Sequence, residues 1–346
     1  MNYNKLGNDI IVSEIGFGCI PILSGALDIM PRHFNLSIKE STKLLEQAYD
    51  FGINFYDTAI KEEYGDTEEK LYWAFKNKRQ KIIISSKARK FSYTEMKVAI
   101  DSSLKELKTD YIDIYGIHQI APDNYEQSLD VSTGAIRALI EAKKEGKIRM
   151  ISVGTHFSKT AALCSKIPEI EMIQLPYNPL EYGLFNTALE YGLDLEKTVF
   201  HKVYGGGLLP SLCNLSDLIS YALKPNPISV LVGIGTIIEF NQFKDGYNQK
   251  RNDIDKIDIF YNECNRCQKC YCDYGVNIPL VLRFRTYAMN GMHRWAEKGF
   301  QRNYINKCTF CNECLLRCPQ KNNIPALIKE IELYFCELNN YKEVLK

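Results

Sequence analysis

Residues 53–88, INFYDTAIKEEYGDTEEKLYWAFKNKRQKIIISSKA, contain an apolar run, then a segment with helical spacing, then a second apolar run. The same alternation extends from residue 14 to about residue 242 and includes the apolar runs EIGFGCI, INFYDTA, KIIISSKA, YIDIYGIHQ, IRMISVGTH, IEMIQLPYN, TVFHKVY and ISVLVGI. Short β-branched runs that alternate with helical segments predict a parallel sheet. Eight such units in roughly 230 residues predict an α/β fold of the TIM (β/α)8 barrel type.

An open, doubly wound sheet is the alternative to a barrel, but its phosphate-binding fingerprint is missing. Gly16-Phe17-Gly18 lacks the third glycine of a dinucleotide-binding turn. Gly205-Gly206-Gly207 lacks the lysine of a P-loop. The sequence therefore favours the barrel.

The segments outside this alternation predict the domain limits. Residues 3–14, YNKLGNDIIVSE, are typical of a β-hairpin that turns at Gly7-Asn8 and would cover the bottom of the barrel. Residues 245–258, DGYNQKRNDIDKID, are polar and poor in apolar side chains, as linkers are. We therefore expect a barrel domain over residues 1–244, a linker over 245–258 and a cysteine-rich domain over 259–346.

The cysteine-rich domain contains two runs of closely spaced cysteines. They are Cys264-x2-Cys267-x2-Cys270-x-Cys272 and Cys308-x2-Cys311-x2-Cys314-x3-Cys318-Pro319. Cysteines at every third position can place their thiolates round one iron–sulfur cube, while a fourth, displaced cysteine reaches a second cube. The second run matches the bacterial ferredoxin signature, whereas the first has only Tyr271 between its last two cysteines. The spacing predicts two [4Fe–4S] clusters in a small α-helical, ferredoxin-like domain.

A disulfide framework and structural zinc are the alternatives to iron–sulfur clusters. Disulfide frameworks are typical of small secreted chains, and the first residues, MNYNKLGNDI, show no basic-then-apolar signal segment. Structural zinc sites usually combine two C-x2-C pairs, whereas each run here offers four thiols. The other cysteines, Cys19, Cys164, Cys213 and Cys336, are expected to be ordinary buried or surface thiols.

The composition excludes several classes of partner. Acidic and basic residues nearly cancel to a formal net charge of +1, so no charge pattern indicates binding to nucleic acid or to an anionic membrane. No apolar run approaches the ~18 residues of a transmembrane helix. Abundant thiols and exposed clusters are typical of a reducing, low-oxygen cytoplasm. We expect a cytoplasmic protein without nucleic-acid or membrane partners.

Titratable residues follow three of the predicted strands at the positions where the chemistry of a TIM barrel gathers. Asp57 closes INFYD, Lys87 closes IIISSK and His118 closes IDIYGIH, and Tyr64 lies in the loop after Asp57. An ammonium beside a phenol favours the phenolate, so Lys87 would lower the pKa of Tyr64. Asp57 would hold Lys87 charged, and His118 could donate a hydrogen bond to a substrate oxygen. This grouping suits the reduction of a carbonyl, although each side chain could instead have an ordinary structural role.

Seven short motifs together point to one family. They are Gly52-Ile-Asn-Phe-Tyr-Asp57-Thr-Ala, Tyr64-Gly-Asp-Thr-Glu-Glu, Ser86-Lys87, Tyr115-Gly-Ile-His118, Glu145-Gly-Lys-Ile-Arg149, Gln174-Leu-Pro-Tyr-Asn178 and Gly206-Gly-Leu208. Over nearly its whole length the chain resembles the aldo-keto reductases, and specifically the branch with a ferredoxin-like C-terminal domain. The resemblance implies a catalytic tetrad. In it, Asp57 binds the lysine, Tyr64 donates the proton, Lys87 adjusts the pKa of Tyr64 and His118 orients the substrate.

The resemblance also implies an extended nicotinamide cofactor, NADPH or NADH, across the strand ends, and a small carbonyl or alcohol as substrate. The residues implied to contact the cofactor are Thr155, His156 and Gln174 near the carboxamide, Gly206, Gly207 and Leu208 near the pyrophosphate, and Gly233, Gly235, Thr236 and Glu239 near the adenosine end. Backbone amides in such glycine-rich loops can hold phosphate without a lysine.

The sequence departs from the family pattern in three places. Asp57 and Tyr64 are two residues further apart than in the family, through Lys61-Glu62-Glu63, which is expected to displace Tyr64. Residues 233–241 contain no Lys or Arg, although many members hold the adenosine 2′-phosphate of NADPH with a cation there. The sequence therefore leaves NADH and NADPH as alternative cofactors. Residues 28–34 are expected to form an extra lip of the pocket.

The predicted clusters raise two other hypotheses. A hydride carrier moves two electrons together and a cluster moves one, so exchange between them normally needs a flavin, of which the sequence shows no signature. The clusters could instead transfer single electrons from a ferredoxin or flavodoxin to a substrate in the barrel. They could also serve only to stabilise their own domain. In a third hypothesis the barrel is catalytically empty, and the chain is an electron carrier or a redox-responsive binding protein.

Overall fold

The computed structural model describes residues 1–7, 9–25, 34–251, 253–254, 256–259, 263–304 and 308–344, with only the backbone for 339–344. The predicted lip at residues 28–34 therefore lies outside the described residues except for Phe34. The chain divides into two compact units. The first contains Met1–Asn178 and Thr187–Ile257, and the second contains Pro179–Asn186 and Asp258–Lys346.

The first unit contains a closed barrel of eight parallel strands, which confirms the predicted TIM-type fold. Its strands are β3 (Ile15–Gly18), β4 (Phe55–Asp57), β5 (Ile83–Ala88), β6 (Ile112–Ile120), β7 (Ile148–Thr155), β8 (Met172–Pro176), β9 (Thr198–His201) and β10 (Ser229–Gly233). The barrel closes where β10 pairs with β3, with Val232 opposite Phe17 and Gly233 opposite Gly18. The strands coincide with the eight apolar runs because each is buried on both faces in a parallel barrel.

Helices follow the strands and cover the outside of the barrel. They are α1 (Ile38–Asp50), α2 (Lys61–Tyr64), α3 (Thr67–Phe75), α4 (Tyr93–Leu107), α5 (Tyr125–Leu129), α6 (Ala135–Lys144), α7 (Ser158–Ser165), α8 (Tyr182–Glu190), α9 (Leu215–Leu223) and α10 (Ile237–Asn248). In α1, Ser37 and Glu40 form a reciprocal capping box, which satisfies two amides at the start of the helix. Ser41, Leu44 and Leu45 are buried at helical spacing, so one face of α1 packs inward.

The predicted N-terminal hairpin is present. Strands β1 (Tyr3–Leu6) and β2 (Ile10–Ser13) pair antiparallel. Leu6, Ile10 and Val12 join a buried cluster with side chains of the barrel strands, including Phe55 and Met172 at the first positions of β4 and β8. The hairpin therefore covers the amino-terminal ends of the strands and leaves the carboxyl ends for the site.

The structure differs from the predicted domain limits at two places. Helix α10 runs to Asn248, so residues 245–248 continue the barrel unit rather than begin a linker. The physical reason is burial, because Gly246 and Tyr247 face inward and Tyr247 donates a hydrogen bond to Glu14. Residues 179–186 belong to the second unit, where the buried Glu181 carboxylate contacts Arg266.

The second unit contains the remaining helices, α11 (Ile278–Met289), α12 (His293–Asn303) and α13 (Ile324–Val344). Helices α11 and α13 each begin at an Asn-Ile-Pro sequence, and the Asn277 side chain accepts a hydrogen bond from Leu280 N. Proline suits the first helical turn because it has no N–H to leave unsatisfied. Among the described residues, no helix is long and apolar enough to cross a membrane.

Candidate functional site

Asp57 and Lys87 form a charged pair on the neighbouring strands β4 and β5. Lys87 Nζ donates to both carboxylate oxygens of Asp57 at 2.7 Å and to the carbonyl oxygen of Thr58 at 2.8 Å. On β8, Gln174 donates from Nε2 to Asp57 Oδ1 at 2.5 Å. The Lys87 and Asp57 side chains are only 4% and 9% exposed. The three N–H groups of the ammonium therefore all have acceptors, and the pair is shielded from water.

The longer segment between Asp57 and Tyr64 is accommodated by α2, a single helical turn. The backbone N–H of Ile60 donates to Lys87 O at 3.0 Å, and that of Tyr64 donates to Ile60 O at 3.0 Å. The Tyr64 ring centroid lies 5.5 Å from Lys87 Nζ and 5.8 Å from the His118 ring centroid. The extra residues therefore form a turn that keeps Tyr64 beside Lys87 and His118.

The Tyr64 hydroxyl is held in its protonated form. Removal from water raises the pKa of Tyr64 above its usual value, and the negative charges of Asp57 and Glu63 raise it further. The net shift is upward, where the sequence predicts a lowered pKa, because burial and the nearby carboxylates outweigh the positive charge that acts on the phenol. Near neutral pH, Tyr64 is therefore available as a proton donor.

His118 has a carboxylate partner that the sequence did not predict. Its Nδ1 atom contacts Glu63 Oε2, and the backbone N–H of Arg89 donates to Glu63 Oε1 at 2.5 Å. Burial lowers the pKa of His118, as do the charges of Lys87 and Arg89, while Glu63 opposes them. Burial raises the pKa of Glu63, but its hydrogen bonds with His118 and Arg89 outweigh that effect and lower it overall. Glu63 is thus ionised and His118 neutral near pH 7.

Three residues are implied to lie near a nicotinamide carboxamide: Thr155 ends β7, His156 follows it, and Gln174 lies in the middle of β8. The Thr155 hydroxyl is used within the barrel, since it donates to Ile120 O at 2.6 Å. The His156 ring stacks on the His201 ring, with the centroids 5.4 Å apart. Gln174 is bound to Asp57, as described above. The structure therefore brings Gln174 into the same group as Asp57 and Lys87, and places His156 against His201.

The glycine-rich segment after β9 forms a tight left-handed turn. Gly205, Gly206 and Gly207 all have positive φ angles, of 55°, 67° and 95°. A side chain would be strained at these positions, so the turn needs glycine. Leu208, next in the chain, is buried. Gly206 and Gly207 are half-buried, so the turn leaves part of its backbone accessible just after β9.

The residues implied to meet the adenosine end form the start of α10. Thr236 caps the helix by accepting from Glu239 N at 3.1 Å, and Glu239 Oε2 accepts from Gly235 N at 2.8 Å. Phe34 packs against Gly235, where a Cβ atom would come within 1.8 Å of the Phe34 ring. Gly233 ends β10 against Pro21. Thr236 and Glu239 therefore cap the start of α10.

The clustered cysteines fall into two sets, each with three members from one run and one from the other. The second cysteine set is Cys272, Cys308, Cys311 and Cys314, which all line one small pocket. The first cysteine set is Cys264, Cys267, Cys270 and Cys318, whose thiols interact electrostatically with one another. Burial and, to a smaller extent, the neighbouring thiols raise the pKa of Cys264 to about 11 and that of Cys270 to about 12. Such crowding of thiols disfavours thiolates unless a positive group compensates for their charge.

Both cysteine runs have the same unusual backbone. Arg266 and Phe310 occupy equivalent places and have φ angles of 60° and 55°, and the equivalent residues Gln268 and Asn312 have 59° and 67°. The backbone N–H of Phe310 donates to Cys308 Sγ at 3.3 Å, and that of Arg266 likewise bonds the Cys264 thiol. Left-handed conformations are costly for these residue types and tend to occur at functional sites. The two loops therefore repeat one conformation that directs N–H groups at sulfur.

Within the described ranges, no group of three or more His, Cys, Asp or Glu residues is arranged to hold a metal ion. A single ion needs ligand atoms within about 2.0–2.3 Å of one point. The thiolate ligands of an iron–sulfur cube bind separate iron atoms at its corners. They therefore do not have to converge on a single point.

Two contacts of the site were missed by sequence reasoning. Glu63 was treated only as part of an extended loop, and its contact with His118 depends on the turn α2. Glu68, buried in α3, accepts a hydrogen bond from Ser86, which directly precedes Lys87. The only sequence signal for either residue is an acidic side chain close to Tyr64.

Comparison with known proteins identifies the family. Residues 22–212 match the sequence profile of the Aldo/keto reductase family. The match covers more than half of the chain and includes Tyr64, Lys87, His118 and Gln174. The chain therefore belongs to the aldo/keto reductase family.

Individual relatives are distant. The chain is 30% identical over 169 residues to "Uncharacterized oxidoreductase YqkF" of Bacillus subtilis, which covers 45% of this chain and 49% of that protein. It is 29% identical over 227 residues to "Aldo-keto reductase str7" of Strobilurus tenacellus, covering 59% and 62%. The chain thus spans about half to three fifths of the length of these curated relatives.

Solved structures share the fold. Aldo-keto reductase AKR11C1 from Bacillus halodurans, in its holo form, superposes with a TM-score of 0.56 at 21% identity. The superposition covers 73% of this chain and 98% of that one. At this identity the likeness supports the barrel and no finer conclusion.

Proposed function

We propose that the chain is an iron–sulfur oxidoreductase that reduces a carbonyl, or oxidises the corresponding alcohol, with NADH or NADPH. The observation that carries this proposal is the convergence of four groups from separate parts of the chain. Tyr64 lies beside the Lys87 ammonium and the His118 ring, and Asp57 binds Lys87 through both oxygens.

In the proposed reduction, Tyr64 donates its O–H proton to the carbonyl oxygen while a hydride adds to the carbonyl carbon, which gives the alcohol. When bound, the nicotinamide supplies that hydride or accepts it in the reverse direction. Lys87 Nζ, 5.5 Å from the Tyr64 ring centroid, supplies positive charge beside the phenolate that Tyr64 leaves behind, and Asp57 fixes the position of Lys87. Tyr64 stands on α2 and Lys87 on β5, so both are held by regular structure.

Gln174, Thr155 and His156 are the proposed contacts of the carboxamide, and Gly206, Gly207 and Leu208 those of the pyrophosphate. The proposed contacts of the adenosine end are Gly233, Gly235, Thr236 and Glu239. The Gly205–Gly207 turn supports a phosphate site because successive backbone amides with positive φ can form an anion-binding concavity. Since residues 233–241 contain no Lys or Arg, we expect NADH and NADPH to bind within about tenfold of each other.

We further propose that each cysteine set holds one [4Fe–4S] cluster. When bound, such clusters transfer single electrons. Three observations support this proposal. Each set contains one cysteine from the other run, and the members of the second set line one pocket. Backbone N–H groups also point at sulfur. A reducing cytoplasm would suit the clusters and the remaining free thiols.

An alternative function is single-electron transfer without nicotinamide, as an enzyme or as a carrier. Exposed apolar side chains close to the second cysteine set favour it: Tyr271 is 60% and Leu316 is 96% exposed. Cys311 is itself exposed. Such a surface suits a ferredoxin or flavodoxin, because electron-transfer encounters use small contact areas.

The experiment that tests these proposals is an anaerobic titration of cluster-replete protein with NADH and then NADPH. Nicotinamide absorbance and fluorescence report binding, and the EPR signal reports cluster reduction. Binding without a reduced-cluster signal supports hydride chemistry in the barrel. If neither nucleotide binds and dithionite reduces the clusters, the nicotinamide proposal fails and single-electron transfer is favoured.

A second measurement tests the tetrad separately from the clusters. Tyr64→Phe and Lys87→Met are assayed against a panel of small ketones and aldehydes, with Tyr191→Phe as a control at an exposed tyrosine. If the two tetrad variants turn over every accepted carbonyl at the wild-type rate, the assignment of the tetrad is wrong.

A further inference from the structure

A buried group of charges adjoins the first cysteine set in the second unit. Arg266 lies between Cys264 and Cys267, and its guanidinium contacts Glu181 Oε1. Arg283 Nε lies 3.2 Å from the same carboxylate oxygen. The side chains of Arg266, Glu181 and Arg283 are 7%, 1% and 10% exposed. Arginine stays protonated in proteins, so two guanidinium groups and one carboxylate together carry one net positive charge that is shielded from water.

The backbone keeps this group close to the cysteines. Arg266 follows Cys264 by two residues, so their Cα atoms are at most about 7 Å apart. The backbone N–H of Arg266 bonds the Cys264 thiol. Next to it, the carbonyl oxygen of Asn265 accepts from Gly183 N at 2.9 Å, and a Cβ atom at Gly183 would come within 2.6 Å of the Asn265 side chain. The cysteine loop is therefore packed tightly against the segment that carries Glu181.

We infer that Arg266 raises the reduction potential of the iron–sulfur cluster proposed for the first cysteine set. This inference rests on the proposed function, because it needs that cluster to be bound. A cluster with four thiolate ligands is an anion, and the electron that it gains makes it more negative. A nearby positive charge stabilises the reduced form more than the oxidised form, and net charge is one of the factors that set cluster potentials. Burial strengthens the effect, because water does not screen the charge.

The charges beside the second cysteine set have the opposite balance. Arg317 contacts two carboxylates there, Asp273 at 2.7 Å and Glu313 at 3.3 Å, and all three residues line the same pocket as the second set. One guanidinium and two carboxylates together carry one net negative charge. These side chains are also more exposed than Arg266. A buried positive charge therefore distinguishes the first set from the second.

Carboxylates also lie near the first set, but they are closer to water. Glu263 directly precedes Cys264 and contacts Arg285 at 2.5 Å, and Glu330 contacts the same guanidinium at 2.7 Å. The Glu263 and Glu330 side chains are 37% and 44% exposed, so water and salt screen their charges. The buried charge of Arg266 should therefore act on the first cluster more strongly than they do. A raised potential favours electron transfer to the first set from the second, whose Cys311 is exposed.

The test is an anaerobic redox titration of cluster-replete protein with dithionite, followed by EPR of the reduced clusters. Arg266→Gln removes the charge, and we expect it to lower one of the two cluster potentials by at least about 59 mV, which is tenfold in a one-electron equilibrium. A unit charge about 10 Å away in a protein interior has an effect of roughly this size. Arg266→Lys keeps the charge and should shift the potential much less. Arg294→Gln, at an exposed arginine, should shift neither potential.

Glu181→Gln tests the sign of the effect. It removes a negative charge, so we expect it to raise the same potential that Arg266→Gln lowers, whereas damage to the loop would not depend on the sign of the charge. If Glu181→Gln does not fold, the comparison of Arg266→Gln with Arg266→Lys decides the outcome. Adding Arg266→Gln to the Cys272→Ser/Cys311→Ser variant, which keeps the first cysteine set, should lower the potential of the remaining cluster.

Three results would overturn the inference. They are unchanged potentials in Arg266→Gln, equal shifts in Arg266→Gln and Arg266→Lys, and a shift that affects the second cluster alone. Iron and sulfide analysis of each protein shows separately whether the clusters are bound. Wild-type protein without bound iron would overturn the proposed clusters and this inference together, whereas bound clusters with unmoved potentials would overturn the role of Arg266 alone.

Discussion

The hydroxyl of Ser86 donates a hydrogen bond of 2.6 Å to the buried carboxyl group of Glu68. Ser86 directly precedes Lys87 on β5, and Glu68 lies on α3. The second oxygen of Glu68, Oε2, has no hydrogen-bond partner among the described residues. A buried carboxyl group with one unsatisfied oxygen is costly when it is ionised.

This environment predicts a pH-dependent stability. Burial raises the pKa of Glu68 from 4.5 to about 7. Because the folded-state pKa is raised, the stabilising effect of the proton is complete below pH 4.5 and is lost as the pH rises through about 7. Glu68→Gln should therefore gain stability relative to the wild type between pH 5 and 8, by at most about 3 kcal/mol. Melting temperatures at several pH values check this, with the exposed Glu169→Gln as control, and a constant difference across that range would contradict it.

Asp57→Asn should destabilise the barrel. The substitution leaves the Lys87 ammonium, 4% exposed, without its counter-ion. Removing one partner of a buried ion pair typically costs about 3–5 kcal/mol. Thermal unfolding of the variant, followed by circular dichroism, measures the loss. The double variant Asp57→Asn/Lys87→Met should recover part of it, and no recovery would show that the pair is not the cause.

Tyr64→Phe should lower kcat of carbonyl reduction by about 10²–10⁴, because a positioned proton donor contributes a factor of that size. The ring contacts with Lys87 and His118 remain, so the melting temperature should stay close to that of the wild type. The raised pKa of Tyr64 further predicts that wild-type reduction shows no loss from deprotonation of this group up to pH 10. Turnover measured against pH in the wild type and in Tyr64→Phe tests both statements.

The exchange of cysteines between the two runs can be tested by iron content. Cys272→Ser/Cys311→Ser removes two members of the second cysteine set, so about half of the bound iron should remain. Cys270→Ser/Cys272→Ser removes one member of each set, so both clusters should be lost. Iron and sulfide analysis of anaerobically purified proteins gives the result, with Cys213→Ser as control. The opposite ranking of the two double variants would show that each run binds its own cluster.

The barrel could be predicted from the sequence because eight apolar runs alternate with amphipathic segments, and a parallel strand buried on both faces needs such a run. The positions of Asp57, Lys87 and His118 at strand ends were equally visible, since the topology brings the carboxyl ends of parallel strands together. The N-terminal hairpin followed from Gly7 between two short apolar segments. These features depend on the local order of apolar, polar and turn-forming residues, which can be seen in the sequence itself.

The tertiary structure alone decided the partners of these residues. It bound Gln174 to Asp57 across 117 positions of sequence, and it placed Glu63 against His118 across 55. It also raised the pKa of Tyr64, where the sequence had predicted that Lys87 would lower it. Hydrogen-bond partners and desolvation depend on distances of a few ångströms between distant segments. The sequence therefore determined the barrel and the chemical groups at its strand ends, and only the folded chain determined which of those groups carry charge and which hold protons.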